Sequence, residues 1–94
     1  MYLPLTNNPE ENFNVSISDI IYIFRQLWNE IGFWTIDIKD ADGNILVYGV
    51  KIITQEYILQ QYPQIPFDLK SENNNDPGRQ DLEPFLLEVI DKDV

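Results

Sequence analysis

The chain has 94 residues, six of them basic and sixteen acidic, with no cysteine or histidine and a net charge of −10. This composition excludes disulfide frameworks, thiolate or histidine metal sites, and Ser-His-Asp or Cys-His nucleophilic systems. It also disfavours nucleic acid and anionic membranes as partners, because affinity for phosphate comes mainly from Lys and Arg. With 44% apolar and 13% aromatic residues, the length suits one domain over 1–94 with one modest core. No basic-then-apolar leader opens the chain, and no apolar run nears the ~20 residues of a membrane span. The expectation is a soluble protein made in the cytoplasm.

Residues 2–5 are apolar around Pro4, which cannot donate to a ladder, so they read as an edge strand or extended arm. Thr6-Asn7-Asn8-Pro9-Glu10 is a turn cluster. Phe13, Val15 and Ile17 alternate with Asn12, Asn14 and Ser16, the period of a strand with one wet face. Asn14-Val15-Ser16 fits the glycosylation pattern, which is treated as chance without a leader. Residues 20–31 fit two templates equally. Ile20, Ile23, Phe24, Leu27, Trp28 and Ile31 make a helical stripe, with Ser18 or Asp19 to cap it and Gly32 to end it. Yet Ile20-Ile21-Tyr22-Ile23-Phe24 is dense in strand formers, and that strand would be apolar on both faces.

Residues 33–53 form the central hairpin of a meander over 2–53. Trp34, Ile36 and Ile38 share one face of the first strand, and Asp40-Ala41-Asp42-Gly43-Asn44 supplies the turn. A two-residue turn would pair Ile38 with Val47, Ile36 with Gly49 and Trp34 with Lys51. A three-residue loop with Gly43 left-handed pairs them with Leu46, Tyr48 and Val50. Burial of six large apolar side chains on one face selects the second register, with φ > 0 at Gly43. Asp40, Asp42, Gly43 and Asn44 are thus structural turn residues.

Thr54 is a plausible cap for a short helix over 54–62, with Tyr57, Ile58 and Gln61 on one face and Pro63 as its stop. Residues 63–67, with two prolines, are extended. The polar stretch 71–83 is expected to be mobile or ordered by a partner. A last strand over 85–91 precedes an acidic tail. The fold class is mainly β: a small antiparallel β-sandwich or partly open β-barrel, with the one short helix after the central hairpin.

No stretch carries recognisable chemistry. Aligning Gly43 with the invariant EF-hand glycine puts Ile38 and Gly49 at the first and twelfth ligand positions, so the calcium reading fails. No carboxylate pair is placed as an acid and base, and no phosphate-cradling glycine loop exists. The chain reads as a non-enzyme without a cofactor. Trp28, Phe33 and Trp34 suit either a carbohydrate- or protein-binding platform or, more often for such residues, the core. Phe33, on the face opposite Trp34, is the better candidate for a surface contact.

An ordered set of motifs resembles the baseplate plug proteins of contractile-tailed bacteriophages. It comprises Leu3-Pro4-Leu5-Thr6-x-x-Pro9, then Arg25-x-x-Trp28-Asn29-Glu30, then Trp34-x-Ile36-Asp37-Ile38-x-Asp40-Ala41-Asp42-Gly43-Asn44. Leu46-Val47-x-Gly49-Val50-x-Ile52-Ile53-Thr54 completes it, so the resemblance covers about the first 60 residues. Ile45 and Lys51 stand where relatives often have proline, and an asparagine-rich stretch replaces an aromatic-bearing loop before the last strand.

The resemblance implies a small antiparallel β domain with 20–28 as a strand and 29–32 as a turn. It implies a structural role in a virion tail baseplate assembled in the bacterial host cytoplasm, without catalysis or cofactor. Implied partners are hub, spike and tube proteins and further copies of the chain. Candidate interface residues are Tyr2, Leu3 and Leu5 at an exposed edge, Phe33, and Asn73, Asn74 and Asn75. The alternative is a free-standing acidic inhibitor or adaptor that binds a basic host protein, whose binding would fall steeply with salt.

Overall fold

Alternation of apolar and polar side chains carries the first half of the chain into one sheet. A computed structural model describes residues 1–92, so the last two residues of the expected acidic tail lie outside it. The strands are β1 (Glu10–Ile17), β2 (Ile20–Asn29), β3 (Phe33–Asp40), β4 (Ile45–Lys51), β5 (Phe67–Lys70) and β6 (Glu88–Asp91). β1 to β4 form a four-stranded antiparallel meander in chain order, and β5 pairs antiparallel with β6 in a second sheet. Tyr2 bridges to Glu88 on the far side of β6. Leu3 N donates to Leu87 O, and Val89 N donates to Met1 O.

The ambiguous stretch is a strand, ended by a turn in which Gly32 N donates to Asn29 O and Gly32 takes φ +121°. Its inward positions are Tyr22, Phe24 and Gln26, all buried. Aromatic contacts join the sheets. Phe13 stacks on Phe24 at 5.6 Å, Phe24 lies 6.2 Å from Phe67, and Tyr22 meets Phe67 edge-on at 5.1 Å. Trp34, Ile36, Ile38, Leu69, Leu82 and Leu87 are fully enclosed in the same core. Each such side chain contributes about 1.5–3 kcal/mol. The architecture is a two-layer sandwich, not a closed barrel.

The expected helix over 54–62 is absent, and no helix occurs among the described residues. Gln55 takes φ +63°, which a helix cannot accommodate. The backbone finds its partners elsewhere: Ile58 N donates to Leu69 O, and Leu59 N to the buried Asp68 carboxylate at 2.8 Å. Thr54 does not cap anything; its N–H donates to Asp76 Oδ1 at 2.8 Å. Single turns at Gln60, Tyr62 and Ile65 replace the helix.

The expected register holds only near the loop. Asp40 N donates to Asn44 O, Gly43 N donates to Asp40 O, and Lys39 pairs with Ile45, so the loop is the three residues 41–43 with Gly43 at φ +89°. Beyond it Ile38 faces Val47 and Ile36 faces Val50, which requires two extra residues in β4. These bulges turn both Val47 and Val50 inward and leave Tyr48 69% exposed. The six-residue apolar face is therefore corrected: Leu46 is half-buried and Tyr48 is outside. The physical reason lies in Gly49, which adopts φ +70° and donates its N–H to Asp37 Oδ1 at 2.7 Å. A glycine bulge with a buried carboxylate acceptor lets Val47 take the place of a phenol in the core while Val50 stays inward.

Candidate functional site

The central turn is organised by one carboxylate. Asp40 Oδ1 accepts from Asp42 N at 3.0 Å and Asn44 N at 2.9 Å, and Oδ2 accepts from Asn44 Nδ2 at 3.0 Å. These bonds, first those from the Asn44 backbone and side chain, stabilise the ionised form and hold its pKa below the usual aspartate range. Both carboxylate oxygens accept from the loop itself, which is the arrangement of a structural turn. Among the described residues no group of three or more acidic side chains is placed to hold a metal ion.

On the outer face of the meander, Arg25 bridges Glu10 at 2.7 Å and Asp37 at 3.4 Å. Asp37 is 4% exposed there, between Arg25 and the Gly49 bulge. The guanidinium is held still more firmly protonated, mainly by its hydrogen bond to Glu10.

The N-terminal arm is sewn in rather than free. Leu3 and Leu5 are each 5% exposed and belong to the core, so neither is presented at a surface. Their position follows from the backbone pairing with β6, which covers the edge that was expected to stand open. Tyr2 does remain on the surface, beside Leu86, Asn73 and Lys70 around a cleft of about 180 Å³.

Gln26, fully buried on β2, holds the next residues. Its Oε1 accepts from Thr6 N at 3.1 Å, and its Nε2 donates to Thr6 O at 2.9 Å, Thr6 Oγ1 at 3.0 Å and Asn8 O at 2.7 Å. Arg79 Nη1 donates to Asn7 O at 2.7 Å, and Glu83 N to Asn7 Oδ1 at 2.9 Å.

The stretch 71–83 has a defined path against the body. Trp34 Nε1 donates to Gly78 O at 2.7 Å, and the Arg79 guanidinium lies 5.7 Å from the Trp34 ring. Trp34 and Trp28 pack edge-on at 5.3 Å. Trp34 is a core residue, enclosed on the inner face, and so is unavailable as a stacking platform. Asn73 Oδ1 accepts from Ser71 Oγ at 3.0 Å, while Asn74 and Asn75 are exposed. Phe33 is half-buried, with the Lys51 ammonium 5.0 Å above its ring.

The structure thus gathers Tyr2 and Asn73 on one flank and puts Phe33 on the outer face of the meander. Three residues that shape these surfaces escaped the sequence reading. Gln26 had a signal, a polar residue at an inward position of an apolar alternation. Gly49 had one too, a lone glycine inside a strand. Arg79 had none, because its partner is 72 residues away.

The family model described as "Cyanophage baseplate Pam3 plug gp18" matches residues 1–92. No curated protein matches the sequence. The match spans both sheets, the pinned arm and the stretch 71–83, and extends well past the residues that carried the first resemblance. The chain belongs to the cyanophage Pam3 baseplate plug family.

Proposed function

We propose that the chain is a structural subunit of a contractile-tail baseplate, seated as a plug near the central axis where tube, hub and spike meet. It acts through protein–protein contacts, without catalysis or cofactor, and joins the baseplate during assembly in the host cytoplasm. The family match over residues 1–92 carries this reading. The surface agrees with it: Tyr2 and Leu86 are half-exposed apolar side chains on the flank that also carries Asn73. Apolar side chains grouped at a surface cleft suit burial by a neighbour. Leu3 and Leu5 support that flank from the core, and Phe33 with Lys51 offers a second contact on the meander face.

The test is a pull-down of the tagged chain from cells expressing the neighbouring tail genes, at low and high salt. Recovery of tube, hub or spike proteins that survives high salt is the expected result. Recovery of one basic host protein, lost as salt rises, would overturn the proposal in favour of an acidic inhibitor.

A further inference from the structure

The sheet edges are not equivalent. β4 carries two bulges, a left-handed glycine and Lys51, devices that prevent pairing. The outer side of β5 is covered by Gln55 N donating to Ser71 O and Ile58 N donating to Leu69 O. The outer side of β6 takes Tyr2 and Leu3. β1 is different: it pairs with β2 over Glu10–Ile17 without a register shift. Trp28 N donates to Pro9 O, which sets the phase. Residues 11, 13, 15 and 17 aim their backbone groups at β2, and Glu10, Asn12, Asn14 and Ser16 aim theirs away from the sheet. All four are exposed, and none has a backbone partner among the described residues. No proline, lysine or bulge protects them.

We propose that a second copy of this chain occupies this edge, pairing β1 with β1 antiparallel about a twofold axis at Phe13. Backbone phase allows only even residues to exchange hydrogen bonds. An axis at Phe13 sets Asn12 against Asn14 and Glu10 against Ser16 of the other copy, and it uses the strand from Glu10 to Ser16. Shifting the axis to Asn12 or Asn14 runs the pairing off the strand, into Asn8 or into Ser18, which is left-handed at φ 53°. The chosen register brings no like charges face to face. It also accounts for an aromatic left only partly buried at the sheet edge: Phe13 stacks on Phe24. Across the axis the two Phe13 rings meet as a non-hydrogen-bonded pair, where side chains are closest. The aromatic row then runs unbroken through both copies.

This pairing goes beyond the baseplate reading and does not depend on it, since the isolated chain reports it. Sedimentation velocity is expected to show a reversible monomer–dimer equilibrium. The dimer tightens as the Debye length falls from about 30 Å to about 8 Å with added salt, because two chains of like charge approach each other. In Asn14→Pro the lost N–H is one that points away from β2, so the fold and thermal midpoint are retained. Dimerisation is expected to weaken at least tenfold, about 1.4 kcal/mol. Asn12→Glu, which leaves the backbone intact and adds negative charge to an edge shared by two acidic chains, is expected to weaken it too. A chain monomeric at every concentration, a dimer that loosens with salt, or a dimer unaffected by both variants would overturn the proposal.

Discussion

Replacing Gln26 with leucine isolates the hydrogen bonds that fix the N-terminal arm. The two side chains have similar volume, so the core keeps its packing. What is lost is the partner of Thr6 N, Thr6 O and Asn8 O. A buried backbone group left without a partner costs about 1–3 kcal/mol. Thr6 is half-buried and Asn8 exposed, so water can reach part of what is stranded. Leucine also gains some apolar burial. The expected net loss is about 2 kcal/mol, or a fall in Tm of roughly 8–16 °C for a domain of this size.

Urea unfolding followed by tryptophan fluorescence measures it. The midpoint should drop with the m-value unchanged, because the same surface is exposed on unfolding. Hydrogen exchange should speed up first at residues 6–8 and at Arg79, which donates to the same arm. Gln26→Glu is expected to be worse than leucine at neutral pH, since an ionised carboxylate cannot donate to two carbonyls. A Gln26→Leu variant within 0.5 kcal/mol of the parent would refute the reasoning and show the arm held by Leu3 and Leu5 alone.

The remaining predictions concern β4, the turns and pH. Gly49→Ala meets no neighbour within 4 Å, so its cost is the left-handed backbone alone, about 1–2 kcal/mol by thermal unfolding. The β1–β2 turn holds Ser18 at φ 53° and Asp19 at φ 67°, both strained for side-chain-bearing residues. Replacing the pair with Asn-Gly, the preferred pair for such a turn, should stabilise the protein by about 0.5–1 kcal/mol in urea titrations. Asp40 is more acidic folded than unfolded, so its contribution is present above its ordinary pKa of 3.8 and lost as pH falls through its lower folded value. Carboxyl NMR should give a folded midpoint below 3.8, and Asn44→Ala should return it toward that value.

Local patterns were legible. Trp34, Ile36 and Ile38 announced one buried face, and the loop 41–43 with its left-handed glycine followed from five residues. The strand over β1 was equally plain. What escaped was settled by distant partners. Thr54 resembles a helix cap until Asp76 takes its N–H, and the 54–62 backbone bonds to β5 instead of to itself. The β4 register turned on Asp37, whose carboxylate reads as a wet-face residue yet is buried against Gly49. Leu3 and Leu5 read as an exposed edge because their cover, β6, comes at the other end of the chain. The stretch 71–83 reads as a mobile or partner-ordered polar loop, although Ser71 and Leu82 are both fully buried.

The arm that bridges to Glu88 also sets an order of events during synthesis. Tyr2 and Leu3 are made well before their strand partners, Glu88 and Leu87. The four-stranded meander can close early from neighbouring hairpins, whereas the second layer waits for contacts of long sequence separation, which form slowly. Until then a growing chain carries Leu3, Leu5 and one face of its central tryptophan uncovered. A ribosome that stalls before residue 88 therefore releases a half-sandwich with an apolar face, a natural substrate for chaperones and proteases.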